Sequence, residues 1–405
     1  MRVAVIGAGA AGCFCSIELK RRLPEARVDV LEKGSRPLAK VAVTGGGRCN
    51  LTNSFEGISS LAEAYPRGDK LMRKVFRSFS PEDTVKWFED EGVELVLQDD
   101  HCYFPASQDA MQIVSLLLQR MRQLGVNVLT GRKVDSIREL FGEYDSVVVA
   151  PGGLPKPEGY SMFDGLDLEI VPPVPSLFTF NLPGSPVREL MGTVVEDAVA
   201  SLAGTKFRAE GPLLITHWGM SGPAILKLSS YAARHLSDSG YKSTLLVNWL
   251  GGAGEGNARD ILRAIAEKNP LKQVVNFRPE PVPSRLWTYL VTKSKIKEDS
   301  RWAEIGPKGM NRLVDTLLND TYEVRGQSRF KEEFVTCGGV SLRNIDYNTL
   351  ECKSRPGLYF AGEVLDVDAI TGGFNLQAAW SMGYRVAQSI SENSYICRFP
   401  FETDG

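Results

Sequence analysis

The chain opens on an unbroken apolar run, Val3 to Ile6, and a second run, Val28 to Leu31, is apolar except for Asp29. Short runs without alternation suit strands buried on both faces of a parallel sheet, and the uncharged stretch between them reads as a helix. Pro81 to Gly92 is amphipathic behind Ser80, an N-cap residue, and Asp109 to Leu124 is a second helix closed by Gly125. Val126 to Leu129 and Val134 to Ile137 are strand-like. Tyr144 to Ala150 is an apolar strand that stops at Pro151-Gly152-Gly153. This alternation predicts an α/β fold with a doubly wound sheet. From about Pro172 the texture changes to clustered prolines and short strands, such as Leu177 to Leu182 and Leu213 to His217. Helical stretches follow near 257–268 and 308–319. The sheet pattern returns at Leu358 to Ala361, ahead of a helix from about Leu376 to Ile390. The pattern therefore predicts a discontinuous domain, 1–185 with 332–405, and an inserted mixed domain at 186–331.

Composition changes this picture little. At 405 residues two or three domains are expected, and 43% hydrophobic with 24% charged residues is ordinary globular usage. The net charge of −2 shows no basic block, so no nucleic-acid partner is expected and the substrate is taken to be a small molecule. Seven irregularly spaced cysteines suggest no disulfide framework, and no C-x-x-C occurs. The uncharged run after Arg2 resembles a secretory signal, but its glycine spacing and the acid at Glu32 favour a folded element. No stretch is long enough to span a bilayer, and the expected location is cytoplasmic. Oligomeric state is not legible.

Chemistry concentrates at three places. Gly7, Gly9 and Gly12 follow the first apolar run in G-x-G-x-x-G spacing, which permits a tight turn, close approach of a pyrophosphate and close helix packing. The helix that begins there points free N–H groups at phosphates. Glu32 ends the second run, placed to accept from an unphosphorylated adenosine ribose. Far down the chain, Gly362 and Glu363 follow the strand at 358–361, where open α/β sheets bind ligands. There Glu363 is placed for a ribitol hydroxyl. Gly372 and Gly373 then open a helix whose dipole would stabilise negative charge on a reduced flavin. The third place is KVAVTGGGRCNLTN, Lys40 to Asn53, a nest of N–H groups beside a cation that suits a phosphate or a flavin edge.

The GAGAAG turn, the TGGGRCNLTN loop, THWGMSGPAIL and the FAGEVLDVDAITGGFNLQAAWSMG ending occur in order, and the set resembles the HI0933-like flavoproteins of the glutathione-reductase-like FAD superfamily. The resemblance covers nearly the whole chain; Thr44 replaces the usual serine of the loop. It implies FAD on a discontinuous Rossmann-like domain, with an insert divided between β-barrel-like and helical parts. By position it places Gly7, Gly9, Ala10, Ala11 and Gly12 at the pyrophosphate, Glu32 at the ribose, and Lys33 and Val134 beside adenine. Lys40, Gly45, Gly46, Arg48, Cys49 and Asn50 would lie along the flavin. Gly362, Glu363, Gly373, Phe374, Asn375 and Leu376 would hold ribitol and ring. Family annotation is that of NAD(P)/FAD-dependent oxidoreductases, some linked to aminoacetone oxidation or steroid-like enone reduction.

The expected activity is hydride transfer through flavin N5 to or from a small organic substrate, with NAD(P)H as a possible transient reductant. An RNA-modifying flavoenzyme and a non-catalytic flavin sensor are the alternatives. Gly251 to Gly256 lacks the dinucleotide spacing and reads as a turn. His217 is a candidate proton donor, but a lone histidine at a strand end is more often structural. No metal site is proposed, and no acid–base residue is identifiable.

Overall fold

The computed structural model describes residues 1–326 and 335–398, with side chains to 394. The expected domain boundary at 331/332 lies outside the described residues. The chain forms two compact units, Met1–Val174 with Val335–Gly405, and Pro175–Phe334.

The first unit is built on β1 (Arg2–Ile6), α1 (Ala10–Arg22), β2 (Arg27–Glu32), α2 (Pro81–Asp90), α3 (Ala110–Gln123), β3 (Asn127–Thr130), β4 (Ser146–Val149), β5 (Leu358–Phe360) and α4 (Phe374–Arg398). All five strands run parallel in the order β5-β4-β1-β2-β3. Val3 pairs with both Val28 and Ser146, and Val3, Ala4 and Val5 have no exposed surface. Burial on both faces is why β1 is apolar from Val3 to Ile6. The chain segment that returns after the second unit supplies the edge strand β5, beside β4.

Capping sets the helix starts. Ser80 and Asp83 form a reciprocal capping box at α2, and the Asp109 carboxylate accepts from the Met111 N–H at 2.8 Å to open α3. The expected strand at 134–137 does not form. After β3 the chain turns at Gly131 (φ +67°), and the Gly131 and Arg132 N–H groups donate back to Gly34 and Glu32 carbonyls. This bends the segment over the end of β2, leaving only a 3-10 turn at Ile137–Leu140.

The second unit is a six-stranded antiparallel sheet, ordered Asp320–Arg325, Lys242–Asn248, Val194–Leu202, Arg208–Ile215, Gly219–Ser221, Phe180–Asn181. Helices Pro223–Tyr231, Glu255–Lys268, Ser284–Lys293 and Gly306–Leu318 belong to it. Trp249 and Trp287 are fully buried in its core. No described helix is long and apolar enough to cross a membrane.

Candidate functional site

At the carboxyl end of β1 the three motif glycines have different work. A Cβ on Gly7 (φ +97°) would stand 2.4 Å from the Ala150 carbonyl oxygen, and one on Gly12 would stand 2.0 Å from that of Gly7. Both positions are filled by backbone. A Cβ on Gly9 would meet nothing within 4 Å, so the backbone at the N-terminus of α1 faces open space. That bare helix end, with Ala10 and Ala11 in its first turn, fits a pyrophosphate. Glu32 is aimed from β2: its Oε2 accepts from the Ala8 N–H (2.8 Å) and its Oε1 from the Gly34 N–H (2.6 Å). A carboxylate has about four acceptor positions, so two remain for a ribose diol.

A cavity of about 440 Å³ opens here, bordered by Gly7, Glu32, Lys33 and Val134. Arg132, Lys133 and Lys156 also line it. Sequence reasoning missed these three; the Arg132-Lys133 pair directly before Val134 was the available signal.

The other end is assembled from the glycine loop and the start of α4. Gly45, Gly46 and Gly47 all have positive φ (+58°, +69°, +85°), as does Cys49 (+63°), so the loop folds back on itself. Asn50, with its amide oriented to satisfy its neighbours, donates to the Thr52 carbonyl (3.2 Å) and accepts from the Gly373 N–H (3.3 Å). The Asn53 amide donates to the Gly372 carbonyl (3.0 Å), and the Thr52 hydroxyl bonds Gln377. Trp380 Nε1 donates to the Leu51 carbonyl and the Tyr65 hydroxyl to that of Phe374. A Cβ on Gly373 (φ +83°) would lie 2.6 Å from the Thr52 carbonyl oxygen. Residues more than 300 apart thus form one rigid junction around the N-terminus of α4.

Glu363 lies on the same unit, with its side chain 21% exposed. Its carboxylate accepts from Lys40 Nζ (3.3 Å), the Gly153 N–H (3.1 Å) and the Thr336 N–H (2.8 Å). One acceptor position remains for a ribitol hydroxyl. Gly153 and Thr336 were not anticipated as its partners. Gly362 (φ +80°) is close to α1, where a Cβ would come within 3.1 Å of the Ala11 side chain.

Several predicted contact residues are turned inward. The Phe374 ring is 3% exposed, edge-on to Phe55 at 4.9 Å. The Asn375 amide accepts from the Ala369 N–H (3.0 Å) and donates to the Ala369 and Ile370 carbonyls (3.0 and 3.4 Å). Its polar atoms therefore close the 369–375 loop. Leu376 is half-buried. The Cys49 side chain is buried and its thiol is pushed up to about 12 by that burial, against a smaller lowering by Thr44. It is a packed thiol rather than a thiolate. Arg48 is exposed, its guanidinium 4.6 Å from the centre of the Phe104 ring and its Nε donating to the Gly45 carbonyl. In the second unit, His217 is exposed and its carbonyl accepts from Arg188 (2.7 Å).

The residues present fit FAD: an open helix end, an oriented acid beside a cavity, and a second glycine-opened helix end. The class so defined is an FAD-dependent oxidoreductase on a Rossmann-type sheet. The chain belongs to the HI0933-like family, whose model, described as the HI0933-like protein Rossmann domain, matches residues 1–389. Among similar proteins is the 3-dehydro-bile acid delta(4,6)-reductase of Clostridium scindens, 27% identical over 96% of this chain and 99% of that one. Two others are named ribosomal RNA dihydrouridine synthase. The Escherichia coli protein is 28% identical over 95% of this chain and 97% of its own length. The Haemophilus influenzae protein is 27% identical over 96% and 98%.

These two names overturn the expectation that no nucleic acid is involved. The premise was a charge averaged over the whole chain. Pro175–Phe334 carries 21 Lys and Arg against 17 Asp and Glu, a net +4, and the remainder carries 26 against 32, a net −6. The mean of −2 conceals that division.

Proposed function

We propose that this protein reduces a carbon–carbon double bond conjugated to a carbonyl, and that its substrate is the uracil ring of ribosomal RNA. The observation that carries the reductase reading is the pinned N-terminus of α4. Its first-turn N–H groups have no intrahelical partner, and Asn50, Thr52, Asn53 and Tyr65 hold the glycine turn before it. FAD, when bound, supplies the two-electron hydride chemistry. The chain offers fixed N–H dipoles where negative charge collects, and needs no rearrangement to do so. Lys40 and Glu363 orient the sugar-alcohol end, and Gly9 leaves the pyrophosphate free access to α1.

Uracil C5=C6 is conjugated to the C4 carbonyl, so hydride adds at C6 and a proton at C5, giving 5,6-dihydrouridine. NADH or NADPH is the proposed donor of the two electrons. The relatives' names and the positive balance of the second unit support the RNA substrate. A ribosomal substrate implies work in the cytoplasm. The test is incubation of the FAD-loaded protein and each nicotinamide with unmodified ribosomal RNA, with nucleosides read by mass spectrometry. Dihydrouridine appearing only with protein and nicotinamide supports the reading; none forming with either nicotinamide refutes it. The Clostridium relative favours a second reading, reduction of a delta(4,6)-unsaturated 3-dehydro-bile acid, and the same protein assayed on that compound separates the two.

A further inference from the structure

We infer that the helical part of the second unit, between Lys268 and Arg312, is a docking face for the sugar-phosphate backbone of RNA. The inference rests on the uracil-reduction reading and adds where the polynucleotide is held. This stretch holds ten Lys and Arg against four Asp and Glu, a net +6 within a chain of net −2. Lys268, Lys272, Lys295, Lys297, Arg301 and Lys308 are all exposed, and none is ion-paired to a described residue. Elsewhere in the stretch cations are already engaged: Lys293 pairs with buried Asp320, and Arg312 Nε donates to the Ser294 carbonyl at 2.8 Å.

The fold sets the 270–274 and 300–303 segments, with Lys272 and Arg301, side by side on a firm base. Gln273 bridges Arg301 in antiparallel fashion; the Val274 N–H donates to Ser300 (3.0 Å), Trp302 to Lys272 (3.1 Å) and Ala303 to Pro270 (2.9 Å). Below them Trp287 and Trp302 stack at 6.3 Å, and Trp287 Nε1 donates to the Val274 carbonyl. The Lys295 turn (φ +57°) carries Ile296 into the core while Lys295 and Lys297 stay outside. Glu280, Glu298, Asp299 and Glu304 are the acids in the same stretch, too few to neutralise it. Unpaired cations on a rigid surface keep their charge for an outside polyanion, and a small neutral substrate has no use for them.

The experiment uses the full-length, FAD-loaded protein and a fluorescein-labelled, single-stranded, uridine-rich RNA of about 30 nucleotides, with Kd read by anisotropy across KCl concentrations. One variant joins Lys272→Glu, Lys295→Glu, Lys297→Glu and Lys308→Glu. A control reverses four exposed cations of the first unit, Lys70, Arg73, Lys86 and Arg122. The insert variant is expected to lose at least about 30-fold in affinity and to flatten the log–log salt slope by about 3 units, at about 0.7 per phosphate contact for single strands. The control should change affinity by less than about 3-fold. Melting temperature and bound-flavin absorbance report whether each variant is folded, and Lys295→Glu alone, expected to weaken binding about 3-fold, serves if the quadruple does not fold. Equal loss in both variants, or none in the insert variant while wild type binds and reduces RNA, overturns the docking face and leaves uracil reduction standing. A wild-type protein that neither binds nor reduces the RNA overturns both.

Discussion

Asn375→Leu tests whether the junction at α4 is built as described. The asparagine side chain satisfies both the N–H and the carbonyl of Ala369, a fully buried residue, and reaches Ile370 as well. Leucine keeps the branched shape but is larger and has neither donor nor acceptor, so both Ala369 groups lose their partner inside the protein. Each orphaned buried group costs about 1–3 kcal/mol, so the variant should lose about 2–6 kcal/mol. In a domain of this size that is a fall in melting temperature of about 5–20 °C. Calorimetry or circular dichroism on the FAD-loaded protein reads it, and a spectroelectrochemical titration of the flavin runs beside it. The structure expects a large change in the first measurement, with looser FAD as a consequence of the disturbed loop. An unchanged melting temperature together with a shifted flavin potential would show that Asn375 acts on the ring instead, and the loop-closing role would be abandoned.

Three other outcomes are expected. Gly12→Ala and Gly373→Ala should both yield little soluble protein, because the added methyl lands 2.0 Å and 2.6 Å from backbone oxygen, while Gly9→Ala should fold and instead weaken FAD in a retention assay; a Gly9→Ala protein that keeps FAD normally would remove the pyrophosphate from that position. Glu32→Ala should lower FAD affinity by about 1.5–3 kcal/mol, the value of a hydrogen bond to a charged group, read by fluorescence titration; an unaltered Kd would place the ribose elsewhere. Asp29 is desolvated, yet bonds from Asn127, Arg27 and Tyr144 hold its carboxyl below the usual range. A depressed folded value means its stabilisation is present above the unfolded value of about 4 and disappears as pH falls through the folded one. Wild type should therefore lose stability in acid while Asp29→Asn is weaker at pH 7 and flatter below pH 4, a difference that urea melts across pH will expose.

What could be read in advance follows from where the signal is local. The runs at 3–6, 28–31 and 358–361 announce strands because both faces are buried, and Ser80 and Asp109 announce helices because caps act within one turn. Val194–Leu202 gave no such sign: Glu196 and Asp197 interrupt it at a bulge, where the pairing register shifts between Val195 and Ala198. The 134–137 segment misled in the opposite direction, because Val134 borders a cavity and Ile137 is buried by a 3-10 turn, neither on a partner strand. At the site, glycine spacing identified the turn but not the division of labour within it. Only the packed structure shows that Gly7 and Gly12 admit backbone while Gly9 stays open. Phe374 and Asn375 illustrate the converse: a motif can recur because it folds the loop that presents a helix end, with its own side chains turned away. Net charge failed as a guide to partners for a related reason. Charges act over about 8 Å in physiological salt, so the mean charge of the whole chain says little about what a run of cations within one unit can attract.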